Sequence, residues 1–308
     1  MEGALRAPAD EAFGLHNRWE FSDGDVIVAG RHAIRLLGGG SRYEAYLAWD
    51  DDLHSLVVVK ILRPHRVDDA VTLGGLGAEA RSLERLQHPV LLRCFDAVLD
   101  GPRPHLVLEF LEGPRLSTLL RRYGALAVEQ LLPLALQLCS ALHYMGTRAM
   151  LHLDVKPQNI IMGAPPRLID LSVARTFDEG RKLDYPVGTD AYMAPEQCRP
   201  GDDGVGPEAD MWGLGVTLYE ASCGRRPWPE LDDDSDSFEH RSWPQLSSEG
   251  PPPLPESVPA PLAEAVHACL LRDPKERPTP SELAAALEDL VAALPRRPVL
   301  GRLKPKMR

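Results

Sequence analysis

A short stretch of the chain, residues 151–172, holds two carboxylates, an amine and an amide at close spacing. Asp154 and Lys156 are two positions apart, Asn159 follows three positions later, and Asp170 comes after a Gly/Pro turn between apolar runs. Amide and carboxylate oxygens suit a Mg²⁺ ion that also holds phosphate oxygens. A further carboxylate can accept a hydroxyl proton, and an ammonium can stabilise a migrating phosphoryl group. The pattern predicts phosphoryl transfer, although any one of these side chains alone would favour a buried hairpin with a solvated polar loop.

The two candidate metal ligands depend on the strands beside them for their position. If residues 159–162 pair with residues 168–169 across the turn, Asn159 and Asp170 lie at the same end of that hairpin. Asp154 then stands close by as the proton acceptor.

This stretch resembles a known family. Residues 152–159 read HLDVKPQN, similar to the catalytic loop H-R-D-L-K-x-x-N of eukaryotic-type (Hanks-type) protein kinases, and residues 170–172 stand where those kinases carry D-F-G. Leu153 replaces the arginine and Ser172 replaces the glycine. Lys156, two residues after Asp154, resembles the Ser/Thr-specific branch, and the GTxAYMAPEQ wording further along resembles bacterial members.

The resemblance implies a fold and a set of roles. The fold is α+β, a bilobal protein-kinase-like fold with a small β-rich N-lobe carrying one main helix, a larger mostly helical C-lobe, and ATP in the cleft. Asp154 would orient the attacking hydroxyl, and Lys156 would stabilise the transferred phosphate. Asn159 and Asp170 would hold Mg²⁺, or Mn²⁺, on the ATP phosphates.

Composition agrees with this class and excludes others. A chain of 308 residues, 44% of them hydrophobic, can bury a core as one large or two smaller lobes. The net charge of −11 argues against nucleic acid or an anionic membrane as the main partner. Five scattered cysteines without a C-x-x-C fit a reducing cytosol. Neither a signal peptide nor an apolar run of about 18 residues is found, so we expect a cytoplasmic protein without an integral membrane segment.

A glycine turn between two apolar runs precedes this region. Gly38, Gly39 and Gly40 would let backbone N–H groups approach a phosphate closely, although a plain glycine hairpin is at least as common. The family's glycine loop would carry a further glycine where Tyr43 stands, so Tyr43 could narrow or stiffen it. The resemblance adds Leu37 to the nucleotide-binding residues.

A single lysine lies in the next β-rich run. Lys60 either extends from a strand edge to water or, by resemblance, binds the α- and β-phosphates and pairs with a helix glutamate. Glu79 precedes His88-Pro89 by nine residues, as in the kinases this chain resembles, whereas Glu84 would lie about 140° further round the helix, toward solvent. We assign Glu79 as the partner in a helix expected from about Gly77.

The resemblance also outlines an adenine pocket. Leu108 would limit its back, and the Glu109 carbonyl and the Leu111 N–H would bond the adenine edge. Ala45 and Val58 would line it above Ile161. They reverse the usual order, Val at the first position and Ala at the second, so the total volume is kept.

Later motifs appear in family order. Ala194-Pro195-Glu196 matches A-P-E, and Thr189 resembles the residue that bonds Asp154 and Lys156. A helix capped by Asp210 and ended by Gly224 follows. By resemblance Asp210 also anchors the catalytic loop, and Arg277 pairs with Glu196. An acidic, proline-rich surface loop and two closing helices complete the domain.

These patterns predict residues 1–25 as an N-terminal extension with Trp19 and Phe21 docked on the domain. Residues 26–110 and 111–294 are expected to form the N- and C-lobes, and residues 295–308 a basic tail that is either solvated or docks an anion. The predicted function is phosphorylation of Ser/Thr hydroxyls on protein substrates, autophosphorylation included. The departures at positions 43, 153 and 172 leave an ATP-binding pseudokinase scaffold as the alternative, and a small-molecule phosphotransferase as a further one.

Overall fold

A computed structural model describes residues 17–201, 203–228, 243–247 and 249–294. The chain divides into two compact units, whose described parts are residues 17–84 with 93–110, and residues 85–92 with 111–294. The first unit is built on an antiparallel sheet and the second is mostly helical. The α+β class expected from the sequence is therefore confirmed.

The first unit contains one six-stranded sheet and one long helix. Its strands are β1 (Val26–Val28), β2 (Arg31–Gly39), β3 (Tyr43–Asp50), β4 (Ser55–Leu62), β5 (Cys94–Val98) and β6 (His105–Glu109), and its helix is α1 (Ala70–Arg85). The strands lie in the order β1-β2-β3-β4-β6-β5, and neighbours are antiparallel. Along β4, Val57, Val59 and Ile61 are fully buried. Because side chains alternate between the faces of a strand, Val58 and Lys60 share the opposite face.

Two aromatic rings from the start of the chain pack on this sheet. Trp19 and Phe21 stack with their centroids 5.8 Å apart and contact the core cluster around Tyr46. The Trp19 indole donates to the Leu62 carbonyl at 2.6 Å, and the Arg103 guanidinium lies 5.1 and 5.0 Å from the two ring centroids. The docking predicted for these rings is confirmed; residues 1–16 lie outside the described part of the chain.

Helix α1 is longer than the sequence pattern predicts. It begins at Ala70 rather than near Gly77. The Asp69 carboxylate accepts hydrogen bonds from the backbone N–H groups of Val71 and Thr72, at 3.0 and 3.4 Å, which stabilises an earlier helix start. Glycines in the first turns lower helix propensity, so the periodic signal appears only after them.

The second unit is made of helices with short strand pairs between them. Its helices are α2 (Leu116–Tyr123), α3 (Val128–Thr147), α4 (Phe177–Gly180), α5 (Pro195–Cys198), α6 (Glu208–Cys223), α7 (Ala260–Cys269), α8 (Pro280–Ala286) and α9 (Glu288–Ala292). Its strands are β7 (Met150–Leu151), β8 (Ile160–Ile161), β9 (Arg167–Leu168) and β10 (Arg175–Thr176). Helix α3 packs against α6 and α8, and α6 packs against α7. Most of α6 is buried, so it forms the centre of this unit.

The prediction that Asp210 caps α6 is wrong. The helix begins at Glu208, and the Asp210 carboxylate instead accepts the backbone N–H groups of His152 and Leu153, each at 2.7 Å. Asp210 is the third residue of the helix rather than the residue before it, so it is not at the capping position. The predicted helix end is confirmed, because Gly224 adopts a φ of 74°, a left-handed conformation that glycine accepts readily.

The end of the domain departs from the two helices predicted. Three are present, because the last segment is interrupted at the fully buried Leu287, between α8 and α9. The acidic surface loop falls largely on residues 229–242, and the basic tail is residues 295–308; both lie outside the described part. Among the described residues no helix is long and apolar enough to cross a membrane.

Candidate active site

The first unit contains the lysine–glutamate ion pair. The Lys60 ammonium lies 2.7 and 2.8 Å from the two Glu79 carboxylate oxygens, and Glu79 is 1% exposed. Glu84 is exposed, as its position on α1 predicts. Lys60 therefore does not simply extend to water. It joins β4 to α1, as the kinase resemblance requires.

Tyr43 contacts Lys60 and also the helix α1 that carries Glu79. The Lys60 ammonium lies 4.9 Å from the centroid of the Tyr43 ring, within cation–π range. The Tyr43 hydroxyl is 3.4 Å from the Thr72 carbonyl in α1. A Cβ at Gly39 would lie 2.5 Å from the Tyr43 carbonyl, so the glycine turn closes against the tyrosine backbone. Tyr43 thus links the glycine turn to the lysine and to α1, a role that the sequence pattern does not reveal.

Part of the predicted adenine pocket lies on one face of the sheet. Ala45 pairs with Lys60, and Val58 pairs with Leu47 on one side and with Leu108 on the other. Ala45 and Val58 are therefore diagonal neighbours on the lysine face, and both are partly exposed. Of the other predicted residues in this unit, Leu37, Gly38 and Gly39 end β2, Gly40 follows in the turn, and Glu109 ends β6. Leu111 and Ile161 belong to the second unit.

This register predicts a compensating pair of mutations. Val58→Ala should weaken the affinity for an ATP analogue about three- to tenfold, because two methyl groups are worth about 1 kcal/mol of apolar contact. Adding Ala45→Val should restore the affinity, because the new methyl groups lie diagonally beside the vacated volume. Calorimetric titration with a non-hydrolysable ATP analogue measures both variants. A double mutant that binds more weakly than Val58→Ala would exclude compensation.

The second unit groups the polar side chains of the catalytic-loop motif. The Thr189 hydroxyl donates to one Asp154 carboxylate oxygen at 2.7 Å. The Lys156 ammonium and the Asn159 amide N–H contact the other oxygen at 2.7 and 2.8 Å. Lys156 also donates to the Thr189 hydroxyl. Asp154 and Lys156 are 11% and 16% exposed, so they are shielded from bulk water yet still reachable.

Helix α6 anchors the catalytic loop, residues 152–159. Asp210 fixes the N–H groups of His152 and Leu153, and burial raises the pKa of its carboxyl group while these two donors oppose the shift. At Gly213 a Cβ would lie 3.0 Å from the Val155 carbonyl and 3.2 Å from the Val155 Cβ. The glycine therefore lets the helix approach the loop backbone closely. The anchoring role expected for Asp210 is present even though the cap is not.

The short hairpin brings the candidate metal ligands together. Strands β8 and β9 are antiparallel, with Ile160 opposite Leu168. The Ile169 N–H donates to the Asn159 carbonyl at 2.8 Å, so Asn159 and Asp170 lie at the same end, as expected. The Asn159 amide nitrogen donates to the Asp154 carboxylate and carbonyl, so those contacts do not use the amide oxygen, a hard donor. With the Asp170 carboxylate this donor set fits Mg²⁺.

Backbone strain marks the same region. Leu153 and Asp170 have φ values of 64° and 68°, although neither is glycine. Such conformations cost about 1–3 kcal/mol each and cluster at functional sites. Leu153 directly precedes Asp154, and Asp170 is itself a candidate metal ligand.

The segment after Asp170 is held by buried polar contacts. The Arg277 guanidinium makes a two-pronged contact with the Glu196 carboxylate, at 2.6 and 2.9 Å, as the resemblance predicts. Sequence reasoning missed Gln197, which is 2% exposed and bonds three backbone groups. Its only sequence signal is its position directly after A-P-E.

The family of the chain follows from this architecture and from direct comparison. A model of the protein kinase domain matches residues 31–287. The chain therefore belongs to the protein kinase domain family, and the family identified from the sequence is confirmed.

Curated relatives place it near bacterial Ser/Thr kinases. The chain is 29% identical over 262 residues to serine/threonine-protein kinase PknA of Mycobacterium tuberculosis (strain ATCC 25618 / H37Rv), covering 82% of this chain and 59% of PknA. It is 28% identical over 264 residues to serine/threonine-protein kinase PknB of Mycobacterium leprae (strain TN), covering 82% of this chain and 41% of PknB. The match thus spans about half the length of these relatives.

Proposed function

We propose that this chain is a serine/threonine protein kinase that transfers the γ-phosphoryl group of ATP to hydroxyls of protein substrates, itself included. The observation that carries the proposal is the Asp154 carboxylate held by Thr189, Lys156 and Asn159 within 2.7–2.8 Å. In the proposed reaction the substrate oxygen attacks the γ-phosphorus and the bond to the ADP oxygen breaks. The hydroxyl proton passes to Asp154, and Lys156 stabilises the charge on the transferred group.

The cofactors proposed are those that the protein kinase family generally uses, ATP and Mg²⁺, with Mn²⁺ as a substitute. Asn159 and Asp170 would hold the metal, which supplies charge neutralisation on the phosphates. Lys60, oriented by Glu79, would bind the α- and β-phosphates. Catalysis then rests mainly on positioning and fixed charge.

The proposal includes the domain boundaries of the chain and its location in the cell. Residues 26–110 and 111–294 would serve as N- and C-lobes between an N-terminal extension, 1–25, and a basic tail, 295–308. A cytoplasmic location is supported by the five cysteines, all of which are described and unpaired. Protein substrates, rather than nucleic acid, fit the net charge of −11.

A pseudokinase would keep the fold but would not need the contacts among the candidate catalytic side chains. Leu153, Ser172 and Tyr43 depart from the family pattern, yet Lys60 still contacts Glu79 and Asp154 still contacts Asn159. A small-molecule phosphotransferase has no evident need for the ion pair between the buried Arg277 and Glu196 of the A-P-E motif. The intact polar contacts therefore favour an active protein kinase.

The deciding experiment is Mg²⁺-dependent transfer of labelled phosphate from ATP to the chain itself and to a generic protein such as casein. Asp154→Asn is the matched control, since it removes the proton acceptor and keeps the side-chain shape. Phosphorylated Ser or Thr in the wild type alone supports the proposal. Equal labelling of the wild type and Asp154→Asn would point to a contaminating kinase. No labelling of the wild type, under conditions in which it binds ATP, would point to a pseudokinase.

Phosphorylation of the activation segment, which runs from Val173 to the A-P-E motif at residues 194–196, should not be required for activity. In many protein kinases the arginine at the position of Leu153 helps to bind a phosphate on this segment. Leu153 has no donor or charge to pair with a phosphate, and the Thr176 hydroxyl caps α4 by accepting the Glu179 N–H and donating to the Glu179 carboxylate. A phosphate there would lack the hydroxyl donor to the Glu179 carboxylate and would face the like charge of that carboxylate. We expect phosphatase-treated wild type and Thr176→Asn, which can still cap, to retain turnover within about tenfold, or about 1.4 kcal/mol of barrier.

The measurement is steady-state turnover after mass spectrometry confirms that no phosphate remains. Thr176→Ala, which loses the cap as well, separates the effect of capping from that of phosphate. A larger loss in the dephosphorylated wild type would show that another group compensates for the missing arginine.

A further inference from the structure

We infer that Gln197 is a positioning residue that fixes the activation segment to the catalytic loop without a phosphate. The inference rests on the proposed function and extends it to how the site is kept in working order. Leu153 stands where the family carries an arginine, and its side chain cannot pair with a phosphate on the activation segment. Another group must therefore hold the segment against the catalytic loop.

All three contacts of Gln197 go to backbone groups. Its amide oxygen accepts the Ala194 N–H at 3.0 Å. Its amide nitrogen donates to the Leu153 carbonyl at 2.9 Å and to the Val187 carbonyl at 2.8 Å. A glutamine amide has two N–H donors, so both are used. One side chain therefore bridges the catalytic loop, the segment before Thr189 and the start of α5.

The bridged segments are in direct contact. Gly188 has a φ of +128°, and a Cβ there would lie 2.7 Å from the Leu153 carbonyl and 3.1 Å from the Gln197 amide nitrogen. Gly188 directly precedes Thr189, whose hydroxyl donates to Asp154 at 2.7 Å. Fixing Val187 against Leu153 consequently fixes Thr189 relative to Asp154.

This bridge relies on hydrogen bonds between neutral groups. A phosphate-dependent segment is ordered by a charge added after synthesis, whereas the Gln197 contacts form on folding. Because the bridge is buried, water cannot readily replace a lost bond. The geometry therefore assigns Gln197 a constitutive hold on the segment.

Gln197→Met tests the assignment, because methionine keeps the length of the side chain and removes all three bonds. Gln245→Met is the matched control. Gln245 is 5% exposed and donates to the carbonyls of Asp190 and Met193 at 2.7 and 3.2 Å, in the same segment. Both variants remove a buried amide that bonds this segment, but only Gln197 reaches the catalytic loop through the bonds described.

We expect Gln197→Met to lower kcat on a protein substrate at least about tenfold, with the Kd for an ATP analogue changed by less than about twofold. Gln245→Met should keep kcat within about threefold of wild type at a comparable thermal midpoint. Equal kcat values for Gln197→Met and wild type, or equal losses in the two variants, would overturn the inference.

A second variant, Gln197→Glu, tests the same inference if Gln197→Met does not fold. Gln197→Glu keeps the acceptor for the Ala194 N–H, and only its protonated form can donate to a carbonyl. Its kcat relative to wild type should therefore rise as the pH is lowered from about 8 to about 6. A pH-independent ratio equal to one would contradict the bridging role.

Hydrogen exchange separates this inference from the proposed function. Deuterium uptake in residues 183–193, measured without substrate, should increase in Gln197→Met or Gln197→Glu relative to wild type. If the wild type transfers no phosphate, the proposed function fails, and uptake still decides whether Gln197 holds the segment. Unchanged uptake would overturn the inference even in an active enzyme.

Discussion

Asp154→Asn should lower kcat about 10²–10⁴-fold while leaving nucleotide affinity near that of wild type, because the side chain is expected to act on the hydroxyl proton. Asn keeps an oxygen for the Thr189 hydroxyl but replaces the other oxygen with an NH₂ group. That group would face the Lys156 ammonium and the Asn159 amide N–H, which lie 2.7 and 2.8 Å from the present oxygen. The variant thus removes the acceptor without removing the side chain.

Asp170→Ala should behave differently, because Asp170 is expected to bind the metal rather than the proton. It should abolish Mg²⁺-dependent binding of ATP, measured by calorimetry at fixed nucleotide and varied Mg²⁺. A Kd measured for both variants beside a single-turnover rate separates the two roles. Equal loss of nucleotide affinity in both variants would contradict the assignment.

Arg277→Met should destabilise the second unit by about 3 kcal/mol, the lower end of the cost of removing one partner of a buried ion pair, because the Glu196 side chain left behind is 15% exposed. The guanidinium is 0% exposed, and it contacts Glu196 at 2.6 Å and the Glu208 carbonyl at 2.9 Å. It also lies 4.9 Å from the centroid of the Trp212 ring. Methionine fills much of the volume but leaves the carboxylate and the carbonyl without their donor.

Urea unfolding followed by tryptophan fluorescence gives the change in unfolding free energy. Arg181→Met is the control, because the exposed Arg181–Asp178 pair, with side chains 66% and 83% exposed, should contribute little. Loss of less than about 1 kcal/mol in Arg277→Met would show that another group or water replaces the guanidinium beside the partly exposed Glu196 carboxylate.

Local sequence patterns determined the parts of the site that depend on short spacings. The apolar runs around the Gly/Pro turn were enough to predict that Asn159 and Asp170 lie at the same end of a hairpin. Helical periodicity was enough to direct Glu84 to solvent once the resemblance, through the spacing to His88-Pro89, had assigned Glu79 as the partner of Lys60. These relations hold because strand alternation and the helical turn place neighbouring residues by backbone geometry alone.

Resemblance extended the prediction to residues distant in the chain. It identified the Arg277–Glu196 pair and the anchoring of the catalytic loop by Asp210, contacts that local periodicity cannot predict. The helix pattern by itself assigned Asp210 as a cap, and there it was wrong. A polar residue near a helix start can bond its own first turn or a distant backbone, and only packing decides which.

Tertiary structure alone decided the contacts of Tyr43, the break at Leu287 and the bridge made by Gln197. Gln197 is 44 residues from Leu153 and ten from Val187, and each of those partners is a backbone carbonyl. Every residue presents a carbonyl, so the sequence does not distinguish the partner of a buried amide. That choice is made when α5, the catalytic loop and the activation segment pack together, because only then are these two carbonyls withdrawn from water and left to the same side chain.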